Sequence, residues 1–317
     1  MINTLTEGTY LHGSFFLVKV VSRRRAANDT DFLDFRLADN TGEIGAKLWN
    51  CTDTDAETFV ARSVVKVRGL VKSYNGSVYI DIERIRLAEE TDGVAMEDLV
   101  RTAPMNPSDM LAELQGYIDR INDEDIRAII EHLVGLNREK LMSYPAAMKY
   151  HHDFFGGLLY HTISMLRLAE FVVGQYPVLR YDLLAAGIIL HDIAKTEELD
   201  AENGIVADYT VEGKLLGHIV QGILMVENAV RELGIQGEMV TLLQHLIASH
   251  HEKKEYGSPV EPQLPEAVAL CYIDLLDSRM GAIQKAVDEL RPGERFTEPV
   301  KVIGNRRVYV PSQPLPG

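Results

Sequence analysis

The first 88 residues contain five short runs in which apolar and polar positions alternate in places, as they do in half-buried β-strands. The runs lie at 15–21, 32–37, 43–49, 63–71 and 78–82. Turn-forming residues stand between some of them, at 39–42 and at Asn75-Gly76, and Asx-Gly pairs favour tight hairpins. The pattern predicts a small five-stranded barrel or sandwich over residues 1–88.

Apolar residues recur at spacings of three and four from Pro107 onward, which is the periodicity of amphipathic helices. Ser108 and Asp123 suit the N-caps of two helices. Further helices are predicted at 182–194 and 266–281, and no alternation of comparable strength appears between 108 and 290. We therefore predict an all-α bundle over residues 108–290.

Two segments of different composition flank the predicted bundle. Residues 89–107 are acidic and then proline-containing, which is typical of a linker, and residues 291–317 form a C-terminal tail with one predicted strand at 307–310. The fold class predicted from the pattern is thus a multi-domain β + α protein, with a small β domain followed by a helical one.

Charge and composition restrict the class of protein. The net charge of −15 is unevenly placed, because residues 1–88 carry 12 basic and 11 acidic residues and the remainder carries 20 and 36. The near-neutral first segment can therefore hold a phosphate backbone locally. Two cysteines exclude a disulfide scaffold. With no signal peptide and no apolar run of membrane-spanning length, we expect a cytoplasmic protein with no membrane contact.

The most informative feature is the pair His191-Asp192, which offers two metal ligands from consecutive positions. Further candidate ligands lie on separate predicted helices: His161, His218, His250, His251 and Asp274. Such positions converge only inside a helical bundle, where buried polar side chains must be paired or bind metal. Imidazole with carboxylate predicts a divalent ion, with Mn²⁺ favoured and Fe, Co, Ni, Mg or Zn as alternatives.

The ligand set is large enough for two ions. One ion could take His161, His191, Asp192 and Asp274, and a second could take His218 and His250 with Asp192 as the bridge. Two ions about 4 Å apart activate water and hold both reacting oxygens of a phosphoester. Asp274 and Asp277 lie three positions apart on one helix face. Either could be the last ligand, and we favour Asp274 because Asp277 also suits the orientation of a histidine.

The residues also carry a resemblance to a known family. The order His161, His191-Asp192, Asp274 resembles the HD phosphohydrolase superfamily. Five short motifs resemble those of the YhaM-type 3′→5′ exoribonucleases: YHH at 150–152, GGLLYHT at 156–162, GHI at 217–219, SHH at 249–251 and EYGSP at 255–259. TGEI at 41–44 and AKLW at 46–49 are similar to the OB-fold segment of those proteins. The resemblance covers residues 12–285.

The resemblance implies that the N-terminal domain is a five-stranded OB-fold barrel and the helical domain an HD domain. It implies metal binding by His161, His191, Asp192 and Asp274, with His218 and His250 as further ligands. Lys195 matches a lysine of the family that would meet a phosphate oxygen. We assign the catalytic roles to His191, Asp192, Lys195 and His251, of which His251 is either a ligand or a phosphate contact.

The barrel supplies candidates for nucleic-acid binding. Trp49, Tyr74 and Tyr79 can stack on bases as aromatic residues do on OB-folds, although alternate ones fill a barrel core, where we place Trp49. Further candidates for strand contact are cationic or precede the GGLLYHT word: Arg23, Arg24, Lys72 and His152.

The expected function is metal-dependent 3′→5′ degradation of single-stranded RNA, or DNA, to mononucleotides, by a monomer or a homo-oligomer. One alternative is an HD phosphohydrolase that acts on small nucleotides or cyclic dinucleotides, with a regulatory OB domain. The other alternative is a non-enzymatic nucleic-acid-binding factor.

Overall fold

The computed structural model describes residues 1–26, 29–74, 76–94, 98–147, 154–202, 205–290 and 293–312. The chain divides into two compact units. The barrel unit comprises Met1–Thr102 with Glu202–Ala207, and the helical unit comprises Ala103–Ala201 with Asp208–Gly317. No helix among the described residues is both long and apolar enough to cross a membrane.

Five strands close into a barrel in the order β1-β2-β3-β5-β4. Their bounds are β1 (Tyr10–Arg25), β2 (Asp31–Asp39), β3 (Gly42–Trp49), β4 (Val64–Tyr74) and β5 (Ser77–Leu87). A short helix, α1 (Asp53–Thr58), joins β3 to β4. Four strand pairs are antiparallel and β3 runs parallel to β5. A five-stranded barrel of this kind is the OB-fold, and the prediction of five strands is confirmed.

The barrel core follows from the alternation along each strand. On β2, Leu33, Phe35 and Leu37 point inward and are almost completely buried. The pairing of β4 with β5 shifts between Arg68 and Gly69, because β5 has one extra residue, Glu83, at this point. A Cβ atom at Gly69 would lie 3.1 Å from the carbonyl carbon of Asp81 and closer to its oxygen, so this crossing requires glycine. Asn75 of the predicted hairpin turn lies outside the described residues.

The helical unit packs its helices around one apolar core. Their bounds are α2 (Pro107–Ile118), α3 (Glu124–Leu136), α4 (Arg138–Ser143), α5 (Gly157–Gln175), α6 (Tyr181–Leu190), α7 (Lys195–Glu198), α8 (Val211–Leu233), α9 (Glu238–Ser249) and α10 (Pro265–Asp288). Asp123 caps α3 as predicted, whereas Asn106 caps α2 in place of the predicted Ser108, whose amide donates to the Asn106 side chain. Pro107 at the first position of α2 is favourable there. Helix α6 is buried along most of its length.

Three details after residue 103 differ from the sequence prediction. A hairpin of β6 (Leu199–Glu202) and β7 (Ile205–Tyr209) interrupts the helices, because strands of four and five residues are too short to give a clear alternation. The predicted helix 182–194 ends four residues early, at Leu190. In the tail, the predicted strand at 307–310 is reduced to an isolated bridge between Phe296 and Tyr309.

Helix α8 is broken near its first turns. Gly217 has φ 70° and ψ 163°, values outside the helical region, and the chain resumes its helix at His218. A positive φ is accessible to glycine at little cost and strained for other residues. The break changes the direction of the chain just before a candidate ligand.

Candidate metal centre and nucleic-acid interface

The His191-Asp192 pair lies just beyond the end of a buried helix. The amide of His191 still donates to the carbonyl of Gly187 at 2.8 Å, and helix α7 begins only at Lys195. A Cβ atom on Gly187 would be 3.0 Å from the side chain of Leu246, so α6 and α9 pack closely here. Consecutive residues of a regular helix point about 100° apart. Here both side chains nevertheless face one space, with His191 Nε2 3.3 Å from Asp192 Oδ2.

Six of the candidate ligands form two groups of three. Within each group, the donor atoms lie within 4.8 Å of one another. The first subsite consists of His161, His191 and Asp274, and the second subsite of His218, His250 and His251. Helix α5 carries His161, α8 carries His218, the end of α9 carries the His250-His251 pair, and α10 carries Asp274. The bundle therefore brings together all the residues that were predicted to bind metal.

Asp192 lies between the two subsites. Its Oδ2 atom is 3.3 Å from Nε2 of His191 and 4.0 Å from Nε2 of His161, in the first subsite. Its Oδ1 atom is 3.4 Å from Nε2 of His218 and 3.9 Å from Nε2 of His250, in the second. One oxygen thus faces each subsite, which is the arrangement that a bridging carboxylate needs.

Every histidine of the centre directs its Nδ1 atom to an oxygen outside the centre. His161 pairs with Asp277 at 2.7 Å, and His218 pairs with Glu198 at 3.1 Å. The other three donate to backbone carbonyls: His191 to Ile188, His250 to Ile247 and His251 to Tyr256. A proton held on Nδ1 leaves the Nε2 lone pair for a ligand, and such outer partners orient metal-binding histidines.

The inward-facing atoms test whether these residues suit a metal. The Nε2 atoms of His191, His218 and His250 and the Oδ1 atom of Asp192 are buried and have no hydrogen-bond partner among the residues that the structure describes. Buried polar atoms without partners are rare in folded proteins. Four such atoms directed at one space are the donors that a divalent ion takes from imidazole and carboxylate. The residues therefore fit a divalent metal centre.

The electrostatics of the centre keep its carboxylates ionised. Burial alone would raise the pKa of Asp192, but Lys195 and His191 hold it well below its ordinary value. The pKa of Asp274 is likewise lowered, by His161 and His191 against the effect of burial. Burial lowers the pKa of His250 well below its ordinary value, so this imidazole is neutral and able to coordinate.

His161 behaves differently from His250 although both are buried. Burial would lower its pKa, yet hydrogen bonds to the carboxylates of Asp274 and Asp277 outweigh burial and raise the pKa to about 9. Asp274 Oδ1 is 3.3 Å from Nε2 of His161, on the side of the centre, whereas Asp277 contacts Nδ1 on the opposite side. Asp277 also accepts a hydrogen bond from Ser164.

The remaining predicted catalytic residues border the centre. Lys195 Nζ donates to Asp192 Oδ2 at 2.6 Å, and its side chain is largely buried. His251 stands within ligand distance of His218 and His250 rather than apart from them. The sequence prediction missed Glu198, whose side chain is buried beside His218. No motif marks Glu198, because its partner lies twenty positions away across a hairpin.

The outer face of the barrel carries a group of aromatic rings around one lysine. Lys47 Nζ lies 5.3 Å from the ring centre of Phe32, 5.4 Å from that of Trp49 and 5.5 Å from that of Tyr79. Trp49 is 38% exposed, so its expected place in the barrel core is wrong. Ile44, Ala46 and Leu48 face the core, and the alternation puts Trp49 on the other side. We call Phe32, Lys47, Trp49 and Tyr79 the aromatic platform.

The other nucleic-acid candidates occupy different surroundings. Tyr74 is 71% exposed. The three cations are paired with carboxylates: Arg23 with Asp31 and Asp53, Arg24 with Asp34, and Lys72 with Asp81. His152 lies outside the described residues. The contacts of these side chains with nucleic acid remain predictions.

Comparison with known proteins identifies one matching family and close similarity to named relatives. The model of the HD domain family matches residues 158–279, the span that contains all the candidate ligands. A protein of Geobacillus sp. (strain WCH70) named 3′-5′ exoribonuclease YhaM is 43% identical over 297 residues, covering 94% of this chain and 91% of that protein. The protein of the same name from Bacillus subtilis (strain 168) is 40% identical over 314 residues, covering 97% and 99%.

Among solved structures, a domain of replication protein A from Methanococcus maripaludis matches with 23% identity and a TM-score of 0.24, covering 28% of this chain and 92% of that domain.

Proposed function

Since the chain belongs to the family of the YhaM 3′-5′ exoribonucleases, we propose that it shortens single-stranded RNA from the 3′ end by metal-dependent hydrolysis of phosphodiester bonds. The convergence of the buried, inward-facing atoms of His191, Asp192, His218 and His250 is the observation in the structure that carries this function. A fold-stabilising domain has no need of such a costly arrangement.

We assign two divalent ions to the centre, one to each subsite, with Asp192 shared between them. Mn²⁺ suits both the imidazole and the carboxylate donors. When bound, such ions polarise a phosphoester and make water a strong nucleophile at neutral pH. The first subsite offers Asp274 in addition to two histidines, and the second offers three histidines.

The side chains around the centre prepare it for a phosphate group. The pKa of Lys195 is raised, because Asp192 outweighs the effect of burial, so its ammonium group is charged when substrate arrives. It holds Oδ2 of Asp192 at 2.6 Å and can donate its other protons to a non-bridging phosphate oxygen. Asp277 keeps the Nδ1 proton on His161, which leaves Nε2 to face the centre.

The barrel binds the single-stranded RNA. Base stacking on aromatic residues is tolerant of sequence and contributes roughly 1–3 kcal/mol per base. Exposed Trp49, half-buried Tyr79 and the ammonium of Lys47 give the aromatic platform both a stacking surface and a positive charge for the phosphate backbone. A processive or repeated shortening of RNA needs this kind of sequence-independent contact.

A labelled strand tests the function directly. A single-stranded oligoribonucleotide with a 5′ label is incubated with the full-length protein and Mn²⁺. We expect a ladder of shorter products that keep the label, and no ladder with EDTA or with His191→Ala/Asp192→Ala. His132→Ala is the matched control, because this histidine pairs with Glu232 away from the centre. An intact strand, or equal cleavage by the double variant, would refute the function.

The same preparation separates the two alternatives. An enzyme for small nucleotides would hydrolyse free nucleotides or cyclic dinucleotides and leave the oligonucleotide intact. A binding factor would retain the strand without shortening it. The names of the relatives, over nearly the full chain length, favour neither. A parallel oligodeoxyribonucleotide measures whether DNA is also a substrate.

A further inference from the structure

Glu198 holds the imidazole of His218 through two hydrogen bonds that end on one atom. Its Oε1 accepts from the backbone amide of His218 at 3.0 Å and pairs with His218 Nδ1 at 3.1 Å. Because Gly217 departs from helical dihedral angles inside α8, the amide of His218 begins a new helical segment, where backbone amides need partners from outside the helix. The Glu198 carboxylate is such a partner, and it fixes the imidazole ring at the same time.

The position of Glu198 is itself fixed by the base of the β6–β7 hairpin. Its carbonyl oxygen accepts from the amide of Thr210 at 2.9 Å. Gly213, in the first turn of α8, lies directly against the same backbone, and a Cβ atom there would be 3.0 Å from both the carbonyl carbon and Cα of Glu198. The backbone of Glu198 is therefore held on both sides, and its side chain is buried rather than a mobile surface group.

The two subsites are built alike in one respect. Each contains one histidine whose Nδ1 pairs with a carboxylate, His161 with Asp277 and His218 with Glu198. The other histidines rely on backbone carbonyls, which no side-chain substitution can remove. Substituting one of these two carboxylates should therefore alter one subsite without altering the other.

We propose that Glu198 is a positioning residue for the second subsite: by fixing the ring and the Nδ1 proton of His218, it sets the affinity of that subsite for its ion. Asp277 does the same for the first subsite. This role rests on the metal centre of the proposed function. Outer partners of metal-binding histidines typically change affinity about 10- to 100-fold, so the effect is measurable without any turnover.

The test is calorimetric titration of metal-stripped, full-length protein with Mn²⁺. We expect two binding events in the wild type, of which His218→Ala removes one. Glu198→Gln, which keeps an acceptor oxygen but no charge, should weaken that same event about 10- to 100-fold and leave the other unchanged. Asp277→Asn should weaken the other event. Glu197→Gln is the matched control, because this adjacent glutamate pairs with Lys140 at the surface.

Thermal unfolding in EDTA checks that each variant is folded. If Glu198→Gln does not fold, Glu198→Asp takes its place, since it keeps the charge but withdraws the carboxylate, and the same selective loss is expected. Wild-type affinity for both ions in the glutamate variant, an equal loss of both ions, or a single ion in the wild type would overturn the role. RNA cleavage with normal Mn²⁺ binding in Glu198→Gln would refute this role alone. Two ions with no RNA cleavage would refute the proposed function alone.

Discussion

Substituting Gly213 by alanine should damage the helical unit and its metal centre together. A Cβ atom at this position would meet the backbone of Glu198 at 3.0 Å from two carbons, and closer still to the carbonyl oxygen. Backbone cannot rotate away as a side chain can, so the base of the hairpin must move by several tenths of an ångström. Overpacking of this kind costs about 1–3 kcal/mol, against a gain of about 0.5–1 kcal/mol from replacing a helical glycine. Because the contact is with backbone, the upper end of the first range applies, and we expect a net loss of about 2 kcal/mol.

Gly116 provides the matched control for Gly213. It lies in the last turn of α2, and a Cβ atom there would meet no atom within 4 Å. Gly116→Ala should therefore be neutral or should raise the free energy of unfolding by up to about 1 kcal/mol. The two variants make the same chemical change in two helices, and only the surroundings of the new methyl group differ.

Urea unfolding followed by circular dichroism at 222 nm reports on the helices. Trp49, the single tryptophan of the sequence, reports on the barrel by its fluorescence. We expect Gly213→Ala to lower the midpoint of the helical transition and to weaken Mn²⁺ binding at the second subsite, since Glu198 must shift. Wild-type stability of Gly213→Ala, or an equal loss in Gly116→Ala, would refute the reasoning from backbone contact.

Three further outcomes follow from the site and the barrel. In metal-free protein, the pKa of His161 is raised from 6.5 to about 9. The charged imidazole therefore makes its full contribution to stability below pH 6.5. Roughly 3 kcal/mol of the free energy of unfolding is lost as the pH rises through 9. Urea unfolding in EDTA between pH 6 and 10 should show this fall, and Asp277→Asn should reduce it; a flat profile would contradict it. Trp49→Ala should weaken binding of a single-stranded oligoribonucleotide in EDTA by about tenfold, measured by anisotropy, while Mn²⁺ affinity stays at the wild-type value; unchanged RNA binding would exclude the aromatic platform. Burial raises the pKa of the Cys271 thiol to about 11. Its alkylation by iodoacetamide at pH 7.5, measured by mass spectrometry, should therefore be at least tenfold slower in the folded protein than in urea-unfolded protein.

The sequence is sufficient to predict the barrel strands, because their alternation records which side of the sheet is buried. The sequence also indicates that Trp49 faces outward, since Ile44, Ala46 and Leu48 occupy the inward-facing positions of β3. The error arose from residue type: a large aromatic ring suggested the core more strongly than the register suggested the surface. The alternation of inward and outward positions along β3 was the better guide to the location of Trp49.

The metal centre divides into a predictable and an unpredictable part. The inward-facing residues are recognisable because imidazole and carboxylate at buried helical positions are costly unless they are paired or bind a metal. Their outer partners are not, since three of the five histidines rest on backbone carbonyls that have no sequence signature. Glu198 acts only because Gly217 interrupts α8, and neither the break nor the hairpin before it has a strong pattern.

The order of the ligands along the chain governs when the protein can become active during its synthesis. The barrel, with its aromatic platform, is complete by Leu87, whereas Asp274 of the first subsite lies in α10, the last long helix of the described residues. A growing chain therefore completes the barrel strands first and the last candidate ligand of the centre only in α10. The candidate metal centre is thus incomplete until nearly the whole helical unit has been synthesised.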